Sequence, residues 1–119
     1  RQEGFIIGIS SVAGDRGRKS NYIYGSSKSS LTVYLSGLRN RLYSFNVHVM
    51  TVKPGFVLTK MTKHLNLPKL ITSNPKTVAQ YIYFGQVKKK NTIYIQWYWK
   101  WIILVIRLIP EWKFKRMSL

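Results

Sequence analysis

Three side chains near the start of the sequence have types and spacing suited to moving a proton to or from an oxygen atom. They are Ser11, Tyr24 and Lys28. Ser11 follows an apolar run, residues 5–9, that predicts a buried strand. Tyr24 and Lys28 stand four residues apart in a segment with helical periodicity. The serine at the strand end is therefore expected to face a phenol and an ammonium group on one side of the next helix.

The roles we predict for these side chains are those of a proton-transfer site. A tyrosine hydroxyl has an ordinary pKa of about 10, so at neutral pH it exchanges protons poorly unless a nearby cation favours the phenolate. We expect Lys28 to be that cation and Tyr24 to be the general acid/base. Ser11 is expected to hydrogen-bond the substrate oxygen. Because no side chain can supply a hydride, a redox reaction at carbon would need a cofactor.

The Tyr-x-x-x-Lys spacing alone is weak evidence. A chain of this length with eight tyrosines and many lysines is expected to contain roughly one such pair by chance. Its context is more specific, since Ser11 precedes Tyr24 by thirteen residues and a Pro54-Gly55 pair closes a second apolar run. This combination makes an ordinary helix tyrosine beside a solvated lysine the less favoured interpretation.

The runs SSVAGDRGRKSNYIYGSSK and PGFVLT resemble the active-site motifs of the short-chain dehydrogenase/reductase family. The resemblance implies an NAD(P)-dependent oxidoreductase that uses NADPH or NADH, with Ser11, Tyr24 and Lys28 as catalytic residues. Tyr24 and Lys28 would also contact the cofactor. Further cofactor contacts are implied for the loop after the second strand, at Pro54, Gly55, Val57 and Thr59.

A narrower resemblance links the chain to family members that reduce a 2-keto sugar carried on a polyprenyl phosphate. It rests on the serine-to-lysine run, on PGFVLTKMTKHL and on the ending RLIPEWKFK. It implies a small-molecule or lipid-linked carbonyl or alcohol substrate, with Met61 and His64 in the substrate pocket. The motifs of the wider family cover residues 4–59, and the resemblance to that family continues more loosely to the end of the sequence.

The fold class that these patterns and the resemblance predict is α/β, the C-terminal half of a Rossmann-type doubly wound parallel sheet. Strands are expected over residues 5–9, 47–52 and 92–96, and helices over 21–43 and 75–87. The family's glycine-rich turn and its other early motifs do not occur in the sequence. We therefore expect residues 1–96 to be part of an NAD(P)-binding domain whose N-terminal half is missing, and to be inactive without it.

Residues 97–119 form a basic aromatic tail that contains all four tryptophans. Its uninterrupted apolar part, residues 101–106, is far shorter than the ~20 residues that cross a bilayer. Tryptophans and cations around a short apolar block are typical of an amphipathic, interfacial helix. The tail therefore predicts a peripheral position at the inner, cytoplasmic face of a membrane, with Pro110 stopping or kinking the helix.

The formal net charge of +17, from twenty Lys and Arg against three acidic residues, favours an anionic partner. An anionic membrane surface is our preferred interpretation. The alternatives are a basic nucleic-acid-binding module, for which no motif appears, and a lysine-rich composition without a partner. A catalytically inactive binding or scaffold protein of the same family also stays open. The family resemblance further suggests a homo-oligomer.

Composition narrows the chemistry further. The sequence has no cysteine, so it contains no thiolate site and no disulfide. Its three acidic residues and two histidines show no metal-ligand spacing, so we expect no metal, and they offer no pair of carboxylates for a glycosidase-type hydrolysis. The charged turn at residues 15–19 is expected to be either a solvated loop or a contact for a substrate phosphate.

Overall fold

The structure is a computed structural model that describes residues 3–57 and 72–118. Two short 3₁₀ turns, Val12–Gly14 and Tyr43–Phe45, follow the first strand and the first helix. The strands and helices, in chain order, are β1 (Gly4–Ile9), α1 (Tyr22–Leu42), β2 (Val47–Pro54), β3 (Phe56–Val57), β4 (Thr72–Ser73), α2 (Pro75–Val87), β5 (Thr92–Ile95), α3 (Trp99–Leu108) and α4 (Glu111–Phe114).

Three strands form a parallel sheet in the order β1-β2-β5. In this register Ile6 lies opposite Val49, and Val52 lies opposite Ile93. Parallel neighbours need a crossover connection, and α1 and α2 provide the two crossovers. The short strands β3 and β4 form a separate parallel pair. The predicted α/β class with a parallel sheet is confirmed.

The two crossover helices cover opposite faces of the sheet. On one face Gly8 lies under Leu35 of α1, and a Cβ at Gly8 would come within 2.3 Å of that leucine side chain. On the other face α2 covers a cluster of fully or almost fully buried residues from β2 and β5: Met50, Val52, Ile93 and Ile95. Successive residues of β2 thus face α1 and α2 in turn, as a doubly wound sheet requires.

The predicted elements are close to the observed ones, but the short pair β3 and β4 was not predicted, β5 ends one residue earlier than expected, and β2 ends later. The strand continues beyond residue 52 to Pro54, which pairs with Ile95, and the Gly55 N–H donates to the Ile95 carbonyl at 3.1 Å. Pro54 is tolerated because it is the last residue of the strand, where its missing N–H removes no ladder bond. Helix α2 begins as expected at Pro75, and Asn74 caps it by accepting a hydrogen bond from the Thr77 N–H at 2.8 Å.

Strand β1 forms an edge of the sheet within the described residues, where β2 is its one hydrogen-bonded neighbour. Its side chains are poorly covered, since Phe5 and Ile9 are both about half exposed. Strands of a parallel sheet are ordinarily buried on both faces, so β1 is an unusually exposed strand among the described residues.

Candidate active site

Ser11 lies two residues after the end of β1 and is the N-cap of the 3₁₀ turn. Its hydroxyl accepts a hydrogen bond from the Ala13 N–H at 3.1 Å, and the residue is buried, at 7% exposure. This contact uses a lone pair of the hydroxyl and leaves its proton available for donation. The turn therefore fixes the side chain without consuming its ability to donate to a ligand oxygen.

The neighbouring Ser10 has a different environment, because its hydroxyl is held by helix α1. It donates to the Lys28 carbonyl at 2.9 Å and lies 2.7 Å from the Thr32 hydroxyl. With 2% exposure and two partners on the helix, Ser10 fastens the end of β1 to the middle of α1. Ser10 therefore has a structural role at the end of the strand.

Two glycines allow α1 to approach the turn that contains Ser11. A Cβ at Gly25 would lie 2.6 Å from the Ala13 carbonyl oxygen, and a Cβ at Gly14 would lie 2.7 Å from the Ser29 nitrogen. Both distances are below any normal contact, so a side chain at either position would push the helix away from the turn. Gly14 and Gly25 thus allow helix α1 to lie against residues 11–16, which we call the serine turn.

Lys28 and Tyr24 lie at the same end of β1 as Ser11. The Lys28 ammonium group donates to the Ile9 carbonyl at 3.2 Å and lies 5.7 Å from the centre of the Tyr24 ring. Tyr24 is 47% exposed, so a ligand can reach its ring and hydroxyl. The structure thereby brings all three predicted catalytic residues to the carboxyl end of β1.

The predicted cofactor contacts begin at the carboxyl end of the adjacent strand β2. Pro54 and Gly55 are half-buried there, and the Trp99 indole lies on Gly55 so closely that a Cβ would come within 2.1 Å of it. The backbone of Val57 belongs to β3 and pairs with Ser73. The remaining predicted site residues, Thr59, Met61 and His64, lie outside the described residues.

A buried charge network, which the sequence analysis missed, connects the serine turn to the sheet. The Lys53 ammonium group lies 2.8 Å from a carboxylate oxygen of Asp15, and their side chains are 10% and 4% exposed. The Tyr94 hydroxyl donates to the other carboxylate oxygen at 3.1 Å. Burial raises the pKa of Tyr94, and the charge of Asp15 raises it further, so the phenol stays protonated and can donate.

This network lies next to the candidate site in the sequence as well as in space. Asp15 comes four residues after Ser11, and Lys53 comes two residues before Gly55. The sequence offered one indication of this ion pair, which is that acidic residues are rare. Asp15 is one of three acidic residues beside twenty cations, and a carboxylate that is buried needs a partner. The pattern did not indicate which of the twenty cations that partner is.

Arg16 joins the same turn to the C-terminal tail. Its guanidinium group donates to the carbonyls of Ile106 and Ile109 at 2.5 and 2.7 Å. It also pairs with the Glu111 carboxylate at 2.8 Å and lies 3.8 Å from the centre of the Phe114 ring. Together with the buried Asp15, this accounts for the first two residues of the charged turn, so the expectation that they are solvated or free to bind a phosphate is wrong for them.

The carboxyl edge of the sheet fits a dinucleotide. In open α/β sheets, such ligands bind beyond the carboxyl ends of the parallel strands. Here that edge carries the Lys28 ammonium group and the exposed Tyr24 ring. A cation beside an exposed aromatic ring can contact the polar groups and the ring of such a ligand, which agrees with the cofactor contacts that the family resemblance implies for Tyr24 and Lys28.

Comparisons with known proteins agree with this architecture. A family model described as short chain dehydrogenase matches residues 1–69. An uncharacterized oxidoreductase of Mycobacterium tuberculosis is 34% identical over 114 residues, which cover 96% of this chain and 45% of that protein. The chain thus spans less than half the length of this curated relative.

Solved structures show the same fold. A short chain dehydrogenase from Burkholderia cenocepacia in complex with NADP matches with a TM-score of 0.79 and 19% identity, over 90% of this chain and 44% of the other. A short-chain dehydrogenase from Sphingobium yanoikuyae in complex with NADPH matches with a TM-score of 0.70 and 17% identity, over 90% and 46%.

Proposed function

The chain belongs to the short chain dehydrogenase family, and we propose that it carries the catalytic residues of an NAD(P)-dependent oxidoreductase. The observation that supports this most directly is the position of Lys28. Its ammonium group is bound to the Ile9 carbonyl at the end of β1 and lies near the Tyr24 ring. The Ser11 hydroxyl stands at the start of the turn after the same strand. We place Ser11 and Tyr24 on one substrate oxygen, with Lys28 beside the tyrosine.

In the proposed reduction, Ser11 donates a hydrogen bond to the substrate carbonyl oxygen and holds it for proton transfer. Tyr24 then gives its hydroxyl proton to that oxygen as an alcohol forms. The positive charge of Lys28 stabilises the phenolate that remains. Bound NADPH or NADH supplies the hydride that reaches the carbonyl carbon. In the reverse direction, Tyr24 accepts the alcohol proton.

The proposed cofactor contacts combine helix α1 with the loop after β2. Tyr24 and Lys28 would meet the nicotinamide and its ribose from the helix. The opposite wall would come from Pro54, Gly55, Val57 and Thr59. The cofactors named for the two solved relatives, NADP and NADPH, support this use of the carboxyl edge.

The proposed substrate is a keto sugar linked to a polyprenyl phosphate. The support is the resemblance of the serine-to-lysine run and of the ending RLIPEWKFK to decaprenylphosphoryl-2-keto-ribose reductase. Met61 and His64 would line the pocket for this substrate. We place the enzyme at the inner face of the membrane, where such a lipid is presented, and we propose that it acts as a homo-oligomer.

We also propose that the complete gene product extends beyond Arg1 towards the N-terminus. The poorly covered strand β1 and the share of the curated relative that the chain spans both support this. The preceding segment would add the neighbouring strands and the phosphate-binding turn of the cofactor site. The first 96 residues would then be the C-terminal part of one NAD(P)-binding domain.

Label transfer tests the proposed reaction. The complete gene product is incubated with NADPH or NADH that carries deuterium at nicotinamide C4, together with a 2-keto pentose on farnesyl phosphate. We expect deuterium at C2 of the resulting sugar, because the hydride adds to the carbonyl carbon. A parallel reaction with a soluble 1,2-diketone separates the two parts of the proposal. Label in the diketone product alone would remove the sugar substrate, and no label in either product would contradict the oxidoreductase.

A further inference from the structure

The helical tail has two apolar faces, of which one is docked on the protein. Trp99 and Ile103 are 6% and 7% exposed, and the Trp99 indole covers Gly55. A second set of apolar side chains lies at helical spacing and is between 44% and 72% exposed. This set, which we call the outer stripe, consists of Trp101, Leu104, Val105 and Leu108 of α3 and Trp112 of α4.

Exposure of the outer stripe does not mean that the tail is undocked. Arg16 binds the backbone carbonyls of Ile106 and Ile109, and its guanidinium group lies over the buried Phe114 ring. The tail is thus held from inside by the serine turn and by Gly55. A large apolar surface on a helix held in this way is characteristic of a site that binds another apolar surface.

The charges around the outer stripe indicate which surface that is. Exposed cations flank it along its length: Lys100, Arg107, Lys113, Lys115 and Arg116. The tail's one acidic residue, Glu111, is neutralised by its ion pair with Arg16. Apolar and tryptophan side chains with cations at their margins match the acyl and headgroup layers of an anionic lipid surface. None of the described helices is both long and apolar enough to cross a bilayer.

From these features we propose that the outer stripe docks on an anionic lipid surface and presents the candidate active site to it. This inference rests on the proposed function, since it supplies the route by which a lipid-linked substrate reaches the site. The inner face of α3 contacts Gly55 and the serine turn, whereas the outer stripe would reach past the headgroups into the upper acyl layer. The site is then separated from lipid by about one helix diameter, ~10 Å.

Vesicle sedimentation of the complete gene product tests this docking. The vesicles contain phosphatidylcholine with or without phosphatidylglycerol. We expect strong binding to the anionic vesicles, weaker binding to the neutral ones, and weaker binding at high salt. The double substitution Leu104→Glu with Leu108→Glu should lower binding to anionic vesicles about tenfold or more, because it places two charges in the acyl layer. Val87→Glu, at an aliphatic side chain of α2 that is 56% exposed, is the matched control and should bind like the wild type.

Three outcomes would overturn the inference. In the first, the wild type does not sediment with anionic vesicles. In the second, the double variant binds these vesicles as well as the wild type does. In the third, the double variant in lipid-free solution unfolds at a lower urea concentration or has a different molecular mass from the wild type. The last would show that another part of the gene product or a second copy covers the stripe. The wild type and the double variant should reduce a soluble 1,2-diketone at equal rates. If neither protein reduced it, the proposed oxidoreductase activity would be contradicted, whereas the vesicle-binding result would stand.

Discussion

Replacing Tyr24 with Phe is expected to lower kcat about 10²–10⁴-fold, the range over which a positioned general acid/base contributes. The substitution removes the hydroxyl that would protonate the substrate oxygen but keeps the aromatic ring beside Lys28. Binding of NADPH, measured by fluorescence titration, should be retained, because the charged groups of the cofactor do not depend on that hydroxyl. The measurement is turnover of the farnesylphosphoryl 2-keto pentose by the complete gene product.

Tyr34→Phe is the matched control for this substitution. Tyr34 lies on the same helix and is 65% exposed, so the loss of its hydroxyl should leave both kcat and stability unchanged. Tyr24 is also exposed, and its replacement should leave the urea midpoint unchanged. If the Tyr24 variant turned over at the wild-type rate, Tyr24 would not be the proton donor.

Replacing Asp15 with Asn is expected to have the largest effect on folding. The neutral side chain would leave the Lys53 ammonium group, in a residue that is 8% exposed, without its ionic partner. Breaking one partner of a buried pair costs about 3–5 kcal/mol of unfolding free energy, because an uncompensated charge remains in a medium of low dielectric. Urea unfolding of the complete gene product measures this loss.

The control for Asp15 is the other described ion pair of the turn. The Glu111 side chain is 76% exposed, so Glu111→Gln should cost only about 0–1 kcal/mol. The double substitution Asp15→Asn with Lys53→Met removes both charges and should cost less than the sum of the two single changes. Equal, small losses for Asp15→Asn and Glu111→Gln would contradict the burial of the network.

The pH dependence of unfolding gives a second test of the network. Because the pKa of Tyr94 is raised in the folded protein, the folded state holds this proton more tightly than the unfolded state does. Tyr94 therefore contributes to the free energy of unfolding in full below its pKa in the unfolded chain, which is about 10. This contribution falls as pH rises towards the pKa in the folded protein, because the unfolded chain loses the proton first. The wild type should therefore lose more stability above pH 10 than Tyr94→Phe. Parallel curves would show that Tyr94 does not couple to folding.

Local sequence patterns predicted most of the fold. The apolar run at residues 5–9, the helical periodicity before Leu42 and the Asn74-Pro75 start of α2 each depend on neighbours within a few residues. Short-range preferences of this kind can be interpreted without knowing the tertiary structure. The positions of Ser11, Tyr24 and Lys28 could be expected from these local patterns, because all three residues lie on one strand, the turn after it and the next helix.

The parts of the site that were missed depend on contacts between distant residues. Asp15 and Lys53 are 38 residues apart, and Arg16 binds carbonyls that are 90 and 93 residues away. Nothing in the local pattern distinguishes Lys53 from the other cations. Every residue has a backbone carbonyl, so residue types cannot show which carbonyl accepts a hydrogen bond from Arg16. The docking of Trp99 on Gly55 is of the same kind, because it depends on how the tail returns to the sheet.

Sequence patterns predicted the secondary structure of the tail but not which of its faces contacts the rest of the protein. Its composition predicted a short helix interrupted at Pro110, and α3 ends at Leu108 before α4 begins at Glu111. The composition did not indicate that one face of this segment packs on Gly55 while the other stays exposed. Trp99 and Trp101 are two residues apart, and they are 6% and 56% exposed. Among the described residues, the contacts with Arg16 and Gly55 show which face is docked.

The most direct test of the central claim is the crystal structure of the complete gene product with NADPH and a bound substrate alcohol. If Ser11 and Tyr24 serve one reacting oxygen, each hydroxyl must lie within about 2.5–3.0 Å of it, so the two can be no more than about 6 Å apart. We predict this arrangement, with the Lys28 ammonium group on the cofactor ribose. A structure in which the two hydroxyls contact different ligand atoms, or in which NADPH lies away from Lys28, would contradict the proposed catalytic site.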